Sequence, residues 1–103
     1  MNLVDLDPRW KAAGDNPRAV LVFRCPCCRK VWLTCKSIPL KMSEQMELVR
    51  DEGRESGGNV VPTRQDFAWS ISGDDFASLT ITPSIDASAS GHWHGFITNG
   101  KAA

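Results

Sequence analysis

The sequence lacks long hydrophobic runs and a net charge. No apolar stretch in the 103 residues approaches the roughly 20 residues that a membrane-spanning helix needs, and the N-terminus lacks the apolar segment of a secretory signal. A soluble intracellular protein is therefore expected. Twelve basic residues balance twelve acidic ones. This balance weighs against a nucleic-acid binder, because contacts with phosphates need concentrated positive charge.

Motifs of common catalytic sites are also missing. The sequence contains no glycine-rich phosphate loop, no nucleophile elbow and no H-E-x-x-H motif. Asp74, Asp75 and Asp86 lie beside glycine and serine and are better explained as turn residues than as catalytic carboxylates. We therefore favour a non-enzymatic protein.

Four cysteines stand out in a chain this short. A domain of this size lies near the lower limit for building a hydrophobic core unaided, and a bound metal adds directly to the free energy of folding. In a reducing compartment cysteines indicate metal binding before disulfides, and the adjacent Cys27 and Cys28 are unsuited to a disulfide framework. Cys35 is predicted to be a buried free thiol, with a ligand role as the alternative.

Two separate motifs could together hold a zinc ion. Cys25-Pro26-Cys27-Cys28 has the C-P-x-C form of a zinc knuckle, in which a tight turn aims two sulfurs at one ion. His92 and His94 are two residues apart, so in a strand their side chains lie on the same face. The sequence predicts a structural zinc site with these ligands: Cys25, Cys28, His92 and His94.

Several alternatives to this ligand set stay open. Cys27 could replace one of its neighbours, only one of the two histidines could be a ligand, or the cysteines could be incidental. Arg29 stands where such knuckles often have glycine, which predicts an atypical turn. Four protein ligands would fill a tetrahedral zinc, so a zinc hydrolase is possible only if one of them does not coordinate.

The residues around the knuckle suggest a second function. Arg24, Arg29 and Lys30 could contact phosphates or a partner, with Trp32 as a platform for stacking bases. Tryptophans in small β domains more often pack in the core. Nucleic-acid binding is therefore the alternative prediction.

The apolar patterns predict a mainly β fold, a small α+β domain spanning residues 1–103. We expect a compact antiparallel sheet of about five strands with one short helix, held together by zinc. The expected strands cover residues 19–23, 31–35, 67–72, 79–82 and 92–98. Pro83 should end the fourth strand or place it at an edge. Asn99-Gly100 is predicted to form a hairpin turn.

Two segments fall outside this strand pattern. Residues 1–18 are predicted to form an irregular N-terminal arm or one short turn, because Pro8 and Pro17 oppose a long helix, with Trp10 anchored to the core. Residues 42–65 are predicted to be a variable insertion of helix and loop, with Ser43 as the N-cap of the helix.

Three stretches resemble a family of small phage and prophage proteins of unknown function. They are Asp5-Leu6-Asp7-Pro8-Arg9-Trp10, the Cys25-Pro26-Cys27-Cys28 turn, and a C-terminal region made of residues 72–88 and Gly91-His92-Trp93-His94-Gly95-Phe96-Ile97-Thr98-Asn99-Gly100. The resemblance does not cover residues 42–64. It implies a phage origin and expression in the host cytoplasm, but no activity.

Together these features predict a zinc-binding protein that acts by binding another protein. By analogy with other small phage proteins, its partner would be a host or phage protein, including a host defence protein. Nucleic-acid binding and, less favoured, zinc-dependent hydrolysis are the alternatives. The sequence does not predict an oligomeric state.

Overall fold

The computed structural model describes residues 1–40, 43, 60–61, 63 and 68–103, and it confirms the mainly β fold. Two four-stranded sheets take the place of the expected single sheet of about five strands. The first contains β1 (Arg9–Ala13), β2 (Asn16–Arg24), β3 (Trp32–Lys36) and β4 (Val60–Val61), in that order. The second contains β5 (Ser70–Ser72), β6 (Thr80–Asp86), β7 (His94–Thr98) and β8 (Lys101–Ala102). Neighbouring strands are antiparallel, except for the parallel pair β3 and β4.

Strand β2 lies inside the first sheet, and its residues 19–23 are buried on both faces. Leu21 and Phe23 belong to the main hydrophobic core, whereas Val20 and Val22 pack on the opposite face. Alternate residues of a strand point to opposite faces, so a strand covered on both sides is apolar at every position. This explains the continuous apolar run that predicted the strand. The expected hairpin with β3 is also confirmed.

The two sheets share the main core. Leu33 of β3 and Leu21 of β2 belong to the same buried cluster as Ile81 and Ile85 of β6 and Ile97 of β7. Fully burying a side chain of this size contributes about 1.5–3 kcal/mol. The core therefore brings the end of β2 and the start of β7, which are far apart in sequence, to the same part of the molecule.

Residues 1–18 contain the one short turn that the sequence allowed, but they also contain a strand, so the prediction of an irregular arm is wrong. A 3-10 helix (Leu3–Leu6) buries Leu3 and Leu6 completely, and β1 follows it. Pro17 is tolerated near the start of β2 because the pairing register with β1 shifts there, so its missing N–H removes no regular ladder bond. Trp10 packs against the core, as predicted, and its ring stacks on Phe76 with centroids 6.1 Å apart.

Pro83 neither ends its strand nor places it at an edge. It lies inside β6, which pairs with β5 on one side and β7 on the other. The register between β6 and β7 shifts between Ile81 and Ile85, so the proline falls at an irregularity where no regular donor is needed.

The C-terminal hairpin is confirmed and joins the N-terminus. Asn99 and Gly100 both have positive φ, of 49° and 74°, and β8 follows them. A side chain on residue 100 would collide with the backbone carbonyl of Ala77, so the turn requires glycine. Gly100 also accepts a hydrogen bond from the backbone N–H of Leu3, at 2.7 Å.

Arg18 also connects the two sheets, at a point away from both chain ends. The guanidinium of Arg18 on β2 donates to the backbone oxygens of Gly73 and Asp74, at 3.2 and 3.0 Å, in the turn after β5. It also lies 5.3 Å from the ring centroid of Trp10.

Ser43 is described and exposed, but the rest of the predicted helix and most of the 42–65 insertion lie outside the described residues. Within that range, Val60–Val61 forms β4. Among the residues that the structure describes, no helix has the length and apolar character that a membrane span needs.

Candidate metal centre

The turn between β2 and β3 (residues 25–31, the cysteine turn) is closed by backbone hydrogen bonds. The N–H of Cys25 donates to the oxygen of Val31, and the N–H of Arg29 donates to the oxygen of Cys25, both at 2.8 Å. The backbone N–H of Lys30 donates to Cys28 Sγ at 3.5 Å. Zinc knuckles provide such hydrogen bonds from the backbone to their sulfur ligands. Arg29 has a φ of 57°, which costs a residue with a side chain about 1–2 kcal/mol. The turn therefore keeps the backbone shape for which glycine is usual.

The histidine side of the site is a tight loop before β7 (residues 87–93, the His92 loop). It contains the second 3-10 helix (Ser88–Ser90). The oxygen of Ala87 accepts from the N–H of His92 at 3.1 Å, and the N–H of Ala87 donates to the oxygen of Trp93 at 2.9 Å. Ala87 is buried in the main core, so its two hydrogen bonds fix His92 relative to the second sheet.

Four potential ligand atoms converge where the cysteine turn meets the His92 loop. Nδ1 of His92 lies 3.9, 4.0 and 3.8 Å from the Sγ atoms of Cys25, Cys27 and Cys28. All four atoms are within 4.8 Å of one another. A tetrahedral zinc ion, with bonds of about 2.3 Å to sulfur and 2.0 Å to nitrogen, separates its ligand atoms by about 3.5–3.8 Å. The nitrogen–sulfur distances are close to this range, whereas the Sγ atoms of Cys25 and Cys27 are 3.0 Å apart and would have to separate slightly around an ion.

The three thiols differ in burial and in acidity. Cys25 is fully buried, Cys28 is half-buried and Cys27 is exposed. The hydrogen bond with Cys25, burial and the nearby charge of Cys25 raise the pKa of Cys27 to about 11. The backbone N–H of Lys30 lowers the pKa of Cys28. A bound metal would supply positive charge that favours the thiolate form of these ligands.

His94, predicted as the fourth ligand, is not part of this cluster. Its side chain is exposed and its Nε2 lies 3.3 Å from Ser84 Oγ. Residues two apart share a face only within a strand, and β7 begins at His94, so His92 lies in the preceding loop and points elsewhere. Cys27 takes the place expected for His94. The structure thus brings together the predicted Cys25, Cys28 and His92 and adds the third cysteine of the turn, which the sequence left as an alternative.

Trp32 packs in the core, as the sequence favours for tryptophans, and the alternative prediction of a platform for stacking bases is wrong. It lies on β3 with only 1% of its surface exposed. The guanidinium carbons of Arg9 and Arg24 lie 4.7 and 4.4 Å from its ring centroid. These cation–π contacts bury the ring under two side chains of its own chain.

Arg24 braces the cysteine turn. Its Nε donates to Asp7 Oδ2 at 2.8 Å and its Nη1 donates to the backbone oxygen of Arg29 at 3.2 Å. Arg29 and Lys30 are exposed. Of the three basic residues predicted as contacts for a partner, Arg24 is therefore engaged within the protein and the other two face solvent.

The remaining candidate residues have ordinary structural roles. Cys35 is a buried free thiol, as predicted, and burial raises its pKa. Asp75 Oδ1 accepts from the N–H and Oγ of Ser78, at 3.0 and 2.8 Å. Asp86 Oδ1 accepts from the N–H of Ser88 at 2.9 Å. Asp75 is a turn residue, as the sequence indicates, whereas Asp86 is the last residue of β6 and caps the loop that follows.

The cluster of Cys25, Cys27, Cys28 and His92 could bind a metal ion. This assignment rests on the geometry of the four side chains. Comparisons of the chain with protein-family models, with curated proteins and with solved structures find no match.

Proposed function

We propose that this chain is a zinc-binding domain in which Cys25, Cys27, Cys28 and His92 hold one structural Zn²⁺ ion. The observation that carries the proposal is the position of His92 Nδ1. It lies 3.8–4.0 Å from three sulfurs that come from the other end of the chain.

The chemistry of the ligands favours zinc. Thiolates are soft ligands and imidazole suits borderline metals, and a tetrahedral set of three sulfurs and one nitrogen is a common structural zinc site. Hard ions such as Mg²⁺ and Ca²⁺ prefer oxygen ligands in larger coordination shells, which this cluster does not offer.

A zinc ion with these four ligands would be structural. Its tetrahedral coordination is complete, with no position for a reacting water. It would join residues 67 positions apart in sequence, Cys25 at the end of β2 and His92 before β7. Closing a loop of that length would stabilise the fold by about 4 kcal/mol, because it lowers the conformational entropy of the unfolded chain.

The charge of the filled site offers a role for the basic residues beside it. Three thiolates, a neutral imidazole and Zn²⁺ carry a net charge of −1. Arg24 braces the turn, and Arg29 and Lys30 belong to it. In this proposal they offset the negative centre, so nucleic-acid binding loses both its stacking ring and part of its basic patch.

For biological activity, we propose the predicted role of a non-enzymatic module that binds a host or phage protein. The saturated metal site supports it, because such a site gives a small domain a fixed surface without adding a reaction. Phe96, which is 55% exposed on β7, supplies an apolar side chain on that surface.

Titration with Co²⁺ tests the metal site. One equivalent should produce the strong visible bands of tetrahedral cobalt and a near-ultraviolet sulfur-to-metal band, and Zn²⁺ should abolish both. Cys35→Ala is the matched control, because it removes a thiol that lies outside the cluster. Weak octahedral bands, or loss of binding in Cys35→Ala, would contradict the proposed site.

A further inference from the structure

The cysteines of the proposed zinc site are unequally accessible. Cys27 is exposed, whereas Cys25 is fully buried. Their Sγ atoms are only 3.0 Å apart, closer than any sulfur in the site is to the histidine nitrogen. An accessible sulfur therefore lies directly against a protected one.

We propose that Cys27 and Cys25 form an oxidant-sensitive pair, and that a peroxide converts them to a disulfide and expels the zinc. This proposal rests on the proposed function, since it concerns the regulation of the same site. In the zinc-loaded protein, coordination to the ion would hold Cys27 as a thiolate. Solvent-exposed thiolates with a neighbouring resolving cysteine are the usual targets of reversible oxidation.

The reaction balances in two steps with hydrogen peroxide as the oxidant. The Cys27 sulfur attacks one peroxide oxygen, the O–O bond breaks, and sulfenic acid and hydroxide form. The Cys25 sulfur then attacks the Cys27 sulfur, forming the S–S bond and releasing the second oxygen as hydroxide. The two sulfurs lose two electrons, peroxide gains them, and two protons from solvent give two molecules of water.

Cys25 and Cys27 have the one close sulfur–sulfur contact, at 3.0 Å, among the described cysteines, and two of the other combinations are disfavoured. The α-carbons of adjacent residues are 3.8 Å apart, below the usual range for a disulfide, which disfavours a bridge between Cys27 and Cys28. Cys35 lies outside the cluster and is fully buried. Oxidation of Cys25 and Cys27 would leave only Cys28 and His92 as ligands, too few for a structural zinc site.

The consequence is that the cysteine turn and the His92 loop are no longer held together by the ion. The His92 loop belongs to the second sheet and the cysteine turn to the first, and the ion is the proposed covalent-like link between them. Loss of the ion would free the loop while the shared core still joins the sheets. A binding surface that includes the His92 loop would then be lost on oxidation. A thiol reductant together with Zn²⁺ would restore it.

The test is peroxide treatment of the zinc-loaded protein with a chromophoric zinc indicator. We expect zinc release together with loss of the mass of two hydrogen atoms from the apoprotein. Peptide mapping should find a bridge between Cys25 and Cys27. Cys27→Asp keeps a metal-binding side chain that peroxide does not oxidise, and should slow zinc release at least about tenfold. Cys35→Ala should release zinc at the unaltered rate.

The outcomes separate the two proposals. Absence of bound zinc before treatment would contradict the proposed function. A zinc-loaded protein that keeps its zinc in peroxide, or that forms a different bridge, would overturn only the oxidation proposal. If Cys27→Asp does not load zinc, trapping of sulfenic acid in the unaltered protein decides: first labelling at Cys27 supports the pair, and first labelling at Cys28 contradicts it.

Discussion

Removal of zinc is expected to lower the free energy of unfolding by about 4 kcal/mol, the estimate for cross-linking residues this far apart. For a domain of about 100 residues this corresponds to a decrease in Tm of roughly 20 °C. The effect is large because Cys25 and His92 are 67 positions apart and belong to different sheets. The shared core should leave residual structure after the metal is lost.

Thermal unfolding followed by circular dichroism checks this prediction. The protein is compared as zinc-loaded, after treatment with a strong zinc chelator, and after zinc is restored. Mg²⁺ is the control, because it should restore nothing at a thiolate site. An unchanged Tm in a sample shown to be free of metal would contradict a structural role for zinc.

The second large effect should distinguish two histidines that are only two residues apart. His92→Ala removes a proposed ligand, so we expect zinc affinity to fall by more than about 100-fold. Loss of a residue that only hydrogen-bonds to a metal ligand typically lowers the affinity by about 10–100-fold. His94→Ala removes only the 3.3 Å contact with Ser84 and should leave zinc affinity unchanged. Its effect on stability should not exceed about 1 kcal/mol.

Competition for zinc with a chromophoric chelator measures both variants. His92→Cys provides a rescue, because it restores a four-ligand set with a common composition. Equal losses in the two alanine variants, or a larger loss for His94→Ala, would show that the histidine assignment is wrong.

The strands around the cysteine turn could be predicted because their signals are local. An uninterrupted apolar run identifies β2, and the turn and the following apolar residues identify its hairpin with β3. The division into two sheets could not be predicted. It depends on pairing between distant segments, on β1 forming from a proline-flanked arm, and on the irregular register that allows Pro83 inside β6.

The site could be predicted in part for the same reason. The cysteine turn and His92 carry recognisable ligand types, and the structure brings them together. The identity of the fourth ligand depends on where β7 begins. The predicted strand begins two residues too early, at His92, and this error changes the predicted direction of the His92 side chain. The third cysteine was the available signal, since Cys27 lies in the same turn as two predicted ligands.

The role of Trp32 could not be read from its neighbours in sequence. Arg24, Arg29 and Lys30 near an aromatic ring suggest a nucleic-acid surface when only the sequence is considered. The ring is instead covered by Arg9 and Arg24, and Arg9 reaches it only because β1 pairs with β2. Because of this strand pairing, Trp32 is a packed residue and not the binding residue that its neighbours in sequence suggest.

X-ray absorption at the zinc edge of the zinc-loaded protein examines the ligands themselves. Our account predicts one ion per chain, with three sulfurs at about 2.3 Å and one nitrogen at about 2.0 Å. A first shell with two sulfurs and two nitrogens, or one that contains oxygen from water, would contradict it.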